Sequence, residues 1–244
     1  MGRKGPSRHL KRELSPSFWP IHRKEFAWTV RTKPGPHPLK SSIPLTVVVR
    51  DALGYAETNK EAKMLIKQGK ILVDGRARTD ERHPVGIMDV ISLPDANQVF
   101  RILPTHGGRL RLHPINNREA DFKLCRIMGK NTVRGGMTQL ILHDSRSLRL
   151  RTEDRGYGVN DVLQIKIPEQ EVQEHIRFEE GVLTLVTGGA SSGKNGVLVK
   201  LGTEPGNKRT ATVRTKDGEE IRTLASYIFA LGSGRNLISL PGDL

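Results

Sequence analysis

Apolar positions between residues 43 and 93 change period along the chain. Leu45, Val48, Val49, Ala52 and Leu53 recur at helical spacing, with Arg50 opposite. Ser42 as cap, Pro44 in the first turn and Gly54 at the end bound this helix. A second helix is predicted from Thr58, where Thr58 and Glu61 form a capping box, Ala62, Leu65 and Ile66 an apolar face, and Gly69 the stop. Ile71, Leu72 and Val73 then read as a strand, Asp74-Gly75 as a turn, and residues 90–93 as a later strand.

Beyond residue 106 the pattern is strand-like. Apolar runs lie at Leu124 to Met128, Thr138 to Leu142, Ser147 to Leu150 and Val162 to Ile167, with a hairpin turn at Asp144-Ser145. Gly129, Gly135, Gly136, Gly156 and Gly158 keep these strands short, as in a small barrel. Nearer the end, Asp217-Gly218 signals another hairpin, and a barrel of about five strands is predicted. The Gly-rich tail from Gly232 is poorly specified. Residues 1–42 have no period: Pro6, Pro16, Pro20, Pro34, Pro36 and Pro38 break them up, with Pro44 just beyond.

Composition narrows the function. The 244 residues carry 40 Lys and Arg against 26 Asp and Glu, a net charge of +14, which points to a polyanion partner. The charge is clustered: residues 1–50 hold eleven basic and two acidic side chains, and residues 101–150 hold ten and three. A single cysteine, Cys125, excludes an internal disulfide and a Cys-based zinc site, and reads as a small core residue. Without an 18-residue apolar run or a signal-like start, the expectation is an intracellular, soluble protein with no membrane partner.

Candidate contacts arise from these clusters. In the N-terminal stretch, Arg3, Lys4, Arg8, Lys11, Arg12, Arg23, Lys24, Arg31, Lys33 and Lys40 are interleaved with Phe18, Trp19, Phe26 and Trp28. It is either a disordered tail whose aromatics pack back on the body, or an arm that neutralises phosphates while its rings anchor it. On the second helix Lys60, Lys63 and Lys67 line one face, and Lys70 extends the row. Such a row is either a solvated face or a match to a row of phosphates, with Arg50, Arg76 and Arg78 widening it. The central block adds Arg109, Arg111, Arg118, Lys123, Arg126, Lys130 and Arg134; His106 and His113 read as surface or RNA-facing rather than metal-binding. Glu169, Glu171, Glu174, Glu179 and Glu180 read as a solvated or protein-facing strip.

Gly188 to Lys194 imitates a P-loop, but Asn195 stands where a magnesium-binding hydroxyl belongs, and VLVKL after it is a strand, not a helix. No nucleotide or other cofactor is expected. The segment instead resembles the KOW motif, with Gly188 and Gly196 at tight turns or close approaches to RNA. Lys194, Asn195, Lys208 and Arg209 are then loop contacts.

TNKEAKMLIKQGKILVDG followed by PVGIMDVISL resembles the small RNA-binding domain named after bacterial ribosomal protein S4. The order of parts (a basic MGRKGPSRHLKR start with a nearby Trp, this domain, a β-rich centre, a late Gly-rich strand motif) resembles the archaeal/eukaryotic-type S4e family of small-subunit ribosomal proteins over nearly the whole chain. The resemblance implies a multidomain, mainly β fold. Its parts are an extended basic arm at 1–42, an α+β S4-like RNA-binding module at 43–106, a β-rich domain at 107–172 and a KOW-type barrel at 173–244. It also implies a non-catalytic structural constituent of the small subunit, in cytoplasmic ribosomes. The partners are then ribosomal RNA and neighbouring ribosomal proteins, and the RNA contacts Lys60, Lys63, Lys67, Lys70, Arg76 and the tail cations. Rival readings are a free RNA-binding translation or transcription factor, and an RNA-modifying enzyme, for which the central region is too short and too basic.

Overall fold

The computed structural model describes residue 7 and residues 9–150, 156–204 and 208–241. Its first elements are a two-residue ribbon, β1 (Leu10–Lys11) antiparallel to β2 (Trp28–Thr29). The expected extended arm therefore doubles back. Two side chains hold it closed. Trp19 is buried and donates through Nε1 to the Ser42 carbonyl at 2.8 Å, while buried Arg12 donates to the His22 carbonyl and to Glu25.

β3 (Ser42–Pro44) pairs with β6 (Pro84–Gly86). Between them α1 (Leu45–Val47) continues as a π-turn to Ala52, α2 spans Asn59–Lys67, and β4 (Leu72–Val73) turns into β5 (Arg76–Ala77). The Thr58–Glu61 capping box is present, Gly69 adopts φ +73° just past the helix, and Asp74-Gly75 makes the hairpin turn with both φ positive. Ser42 does not cap α1. It lies in β3 with its hydroxyl on the Pro38 carbonyl, and the loop before β6 takes over: Leu45 and Thr46 donate their N–H groups to the carbonyls of His83 and Glu81.

Three five-stranded antiparallel sheets make up most of the remaining chain. The first, in order β5-β4-β7-β8-β9, adds β7 (Val90–Leu93), β8 (Gln98–Pro104) and β9 (Leu110–Pro114). Its ladder thus crosses the expected boundary after residue 106. A short helix, α3 (Asn117–Ala120), leads into the second sheet, β12-β11-β10-β13-β14. Its strands are β10 (Phe122–Thr132), β11 (Thr138–Leu142), β12 (Ser147–Arg149), β13 (Val162–Lys166) and β14 (Val172–Ile176). The third, β18-β17-β16-β15-β19, comprises β15 (Leu183–Val186), β16 (Asn195–Glu204), β17 (Lys208–Thr215), β18 (Glu220–Leu224) and β19 (Ile228–Gly232). Five strands were expected here, but among the described residues the ladder is open, with β18 and β19 as edges. Only Ala225–Tyr227 connects those edges. Laid flat, edges of five strands stand about 19 Å apart, whereas four residue steps reach at most about 14 Å. The sheet therefore curls until its edges converge at this end.

One apolar cluster draws on all three sheets, through Leu103, Leu124, Val162, Leu185 and Phe229. The C-terminal tail joins it: Ile238 and Leu240 are buried, and Ser239 donates through N and Oγ to Glu119, each at 3.1 Å. Its specification comes from this docking, not from the tail's own pattern.

A polar cluster pins the same junction. Lys123 is fully buried in β10, so it cannot belong to a surface block as the sequence suggests. Its Nζ is 2.8 Å from Asp74 and 3.1 Å from Asp144, and it bonds Asp89 as well. Arg146 spans Asp74 and Asp144 at 2.5 and 3.1 Å, and His37 of the arm meets Asp89 at 3.0 Å. Burial alone would raise the aspartates. For Asp89 the charges of His37 and Lys123 outweigh it and hold the carboxyl far below the usual range; for Asp144 those of Lys123, His143 and Arg146 do so, down to about 2. Burial would lower Lys123, yet the three carboxylates hold it well above its ordinary value. Beside them His143 accepts at Nδ1 from the Arg126 N–H, so Nε2 carries the proton toward the Ile87 carbonyl. Burial, then the nearby Lys123 charge, push its pKa down to about 3. Its ring meets Phe229 edge-on at 5.5 Å, which ties the cluster to the third sheet. Cys125 is buried here, and burial keeps it a thiol, as expected of a core residue.

Lys123→Met is expected to destabilise the fold by about 3–5 kcal/mol, because it strands buried carboxylates; denaturant titration measures this. Acidification gives a second expectation. Between about 6.5, the ordinary histidine value, and its folded value of about 3, His143 binds a proton only when unfolded. Stability must then fall as pH drops through this window, with Asp144 adding its share from about 3.9 downward. In His143→Gln, the unfolding free energy measured from pH 7 to pH 5 should lose a clear part of that slope; His83, which burial also holds below its ordinary value, contributes with the same sign.

Candidate nucleic-acid interface

α2 presents its cations outward because Ala62 and Ile66 are fully buried beneath it. Lys60 and Lys67 are exposed, while Lys63 reaches Glu81 at 3.1 Å and Lys70 reaches Asp95 at 2.9 Å. Lys33 pairs similarly with Asp80 at 2.5 Å, and Arg50 with its neighbour Asp51 at 2.8 Å. Burial would raise Asp80 and Glu81, but the lysine hydrogen bonds, backbone N–H groups and the charges of Lys33 and Lys63 together outweigh it and hold both carboxyls below their ordinary value. The lysine pairs, largely exposed, are worth about 0–1 kcal/mol each, whereas Arg50 and Asp51 are partly buried and share three hydrogen bonds. An arriving phosphate can therefore displace the acids from Lys33, Lys63 and Lys70.

A cleft of about 670 Å³ opens between the arm and the start of α2. Arg31, Arg50 and Lys63 line it together with Phe26 and Trp28. Arg82 also lines it and was missed in the sequence, where the only sign is its place in a basic-acidic turn after the second helix. A second pocket, of about 290 Å³, gathers Arg76 and Arg78 with Arg146 beside the buried aspartates. Nothing in the local pattern marks Arg146, because its partners are distant in sequence.

The other candidates are dispersed. Lys11, Arg23, Lys24 and Lys40 are exposed along the arm, with Arg23 donating to the carbonyls of Glu13 and Ser15. Arg109 and Arg111 are exposed around the β8–β9 hairpin, and Lys130 and Arg134 at the far end of β10–β11. Lys194 pairs with Glu219 at 2.6 Å, Asn195 opens β16, and Arg209 is exposed on β17. Lys208 begins β17. Arg3, Lys4 and Arg8 lie outside the described residues.

Several basic positions face inward instead. Arg12 has 2% of its surface exposed and fastens the arm. Arg126 donates to the carbonyls of Ser226 and Ile228, joining the second sheet to the third. His113 is buried in β9, not at the surface; His106 is exposed. The acidic strip is exposed as expected, from Glu169 to Glu180.

The P-loop look-alike runs from β15 into β16, strand to strand. Internal packing requires both of its expected turn glycines. A Cβ on Gly188 would stand 2.9 Å from the Tyr227 ring, and one on Gly196 would stand 2.2 Å from the Arg214 carbonyl oxygen.

If Arg12 is structural, Arg12→Ala should speed amide hydrogen exchange across residues 9–30 and leave α2 unchanged.

Known families match successive parts of the chain. The RS4NT (NUC023) domain matches residues 4–40, the S4 domain 43–91 and the ribosomal family S4e 96–172. Small ribosomal subunit protein eS4 of Methanothermobacter thermautotrophicus is 47% identical over 236 residues, covering 96% of each chain. The eS4 protein of Methanosphaera stadtmanae is 44% identical and covers 100% of each. The crystal structure of the 30S ribosomal protein S4e from Thermoplasma acidophilum superposes with a TM-score of 0.68 at 27% identity, over 80% of this chain and 96% of that one.

Proposed function

The chain belongs to the S4e family of ribosomal proteins, and from that premise we propose that it is a structural constituent of the small ribosomal subunit which binds and stabilises folded ribosomal RNA. The family is structural and not enzymatic. The observation that carries the RNA reading is the outward row on α2, where Lys60 and Lys67 stand exposed beside a cation-lined cleft in an S4 domain. Like charges at helical spacing do not stabilise a helix. A groove of RNA phosphates gives them a partner, and the recognition is of shape and charge rather than of base edges.

Around this row the remaining assignments are of the same kind. The basic arm, the Arg76–Arg78 hairpin, Arg109 and Arg111, Lys130 and Arg134, Lys194 in its loop and Arg209 on β17 give further phosphate contacts. The curled third sheet serves as a KOW-type barrel. The exposed acidic strip faces neighbouring ribosomal proteins, and the working location is the cytoplasmic ribosome. Coverage of nearly the full length of the ribosomal relatives supports this over a free translation or transcription factor.

Replacing Lys60 and Lys67 with Ala tests the reading. Each should lower the slope of log affinity against log salt by roughly one, with circular dichroism unchanged. Lys63→Ala should do less, because Glu81 already holds that ammonium. A slope equal to that of the parent protein would remove α2 from the interface.

A further inference from the structure

The cleft between the arm and α2 carries more than charge, and its assignment rests on the RNA-binding function proposed above. Phe26 is 62% exposed and Trp28 58% exposed, two large rings left in solvent on one wall. They are nevertheless held in place. The Arg12 guanidinium sits over the Phe26 ring, 5.1 Å from its centroid, and Arg12 is itself fixed by Glu25 at 3.0 Å. His9 meets Trp28 edge-on at 5.8 Å. Phe26 is thus backed by a cation on one face and open on the other. Arg31, Arg50, Lys63 and Arg82 line the same cleft; Glu57 and Glu81 are the acids of the lining, Glu81 is already paired with Lys63, and Arg50 with Asp51. The volume, about 670 Å³, falls within the roughly 300–1,000 Å³ of sites that enclose small-molecule-sized groups.

Open rings beside guanidinium groups suit one ligand chemistry well: a nucleobase that has left its stack, with the phosphate attached to it. We propose that this cleft takes one or two unpaired nucleotides of the bound RNA, with the base stacked on Phe26 and Trp28 and the flanking phosphate on Arg31, Arg50 and Arg82. Paired RNA keeps its base faces covered and cannot enter in this way. The chain then reads RNA twice: the α2 row tracks the backbone, and the cleft selects an extruded base. A segment of a neighbouring protein is the rival occupant, and the cationic rim disfavours an apolar one.

The full-length protein contains its own reporter. Trp19 is buried and hydrogen-bonded, so Trp28 is the exposed indole. The protein is titrated with single-stranded eight-nucleotide oligoadenylate and with an RNA duplex of equal length, while tryptophan emission and the anisotropy of labelled RNA are recorded. Single strands should quench the red-shifted, exposed component, and duplex should not. Trp28→Leu and Phe26→Leu should each weaken single-strand binding roughly tenfold while leaving duplex affinity and melting temperature unchanged, and Trp28→Phe should retain most of the affinity. Absence of quenching, together with equal single-strand affinity in Trp28→Leu, overturns the cleft assignment. In that event, salt-dependent binding through Lys60 and Lys67 would leave the broader RNA reading intact. Failure of the parent protein to bind structured RNA at all would overturn that reading first. Quenching by an apolar peptide but not by oligoadenylate would give the cleft to a protein partner and overturn the proposal.

Discussion

The ammonium of Lys123 lies among three carboxylates that come from three separate turns, and every large part of the molecule touches that arrangement. Asp74 belongs to the β4–β5 hairpin, Asp89 to the turn before β7, and Asp144 to the turn between β11 and β12. The arm closes over Asp89 through His37, and His143 passes the contact on to Phe229 of the third sheet. Taking such groups out of water costs several kcal/mol per ion, and mutual attraction offsets this only when every partner is in place. The cluster therefore tolerates few relative positions of the first two sheets. An apolar filling of the same volume could match it in stability while fixing that geometry less sharply.

The pattern of the chain revealed local structure well. The Thr58–Glu61 cap, the Asp74-Gly75, Asp144-Ser145 and Asp217-Gly218 turns, and the strands of the central region all depend on near neighbours, and period or turn chemistry exposes them. The features that escaped it depend on partners far along the chain. Ser42 resembles a cap until the 81–83 loop supplies the acceptors that α1 needs. Lys123 and Arg126 count as surface charge until their partners, 49 and about 100 residues away, enclose them. The arm lacks any period, so its closure around Trp19 and Arg12 had no local sign.

The basic excess is thus divided. Some of it is structural: Arg12, Lys123, Arg126 and Arg146 bind the parts together. Arg101 is buried as well, on the carbonyls of Glu119 and Phe122. Other described cations face water on α2, on the arm and at the tips of hairpins, and several of them are held by acids in weak pairs. Such pairs fix long side chains without committing them. The aromatic side chains divide in a similar way, since Trp19 and Phe229 fill cores while Phe26 and Trp28 remain open.

The order in which the buried ions leave the peptide exit is also set by this architecture. Asp74 and Asp89 are made first, and Lys123 comes 49 residues after Asp74. At roughly 5–20 residues per second that interval is about 2–10 s. For that long Asp74 has no ammonium to meet, and Asp89, 34 residues ahead of Lys123, waits about 2–7 s; both must keep their hydration meanwhile. The β4–β5 turn of a nascent chain accordingly stays wet, and its final drying waits for β10 to arrive.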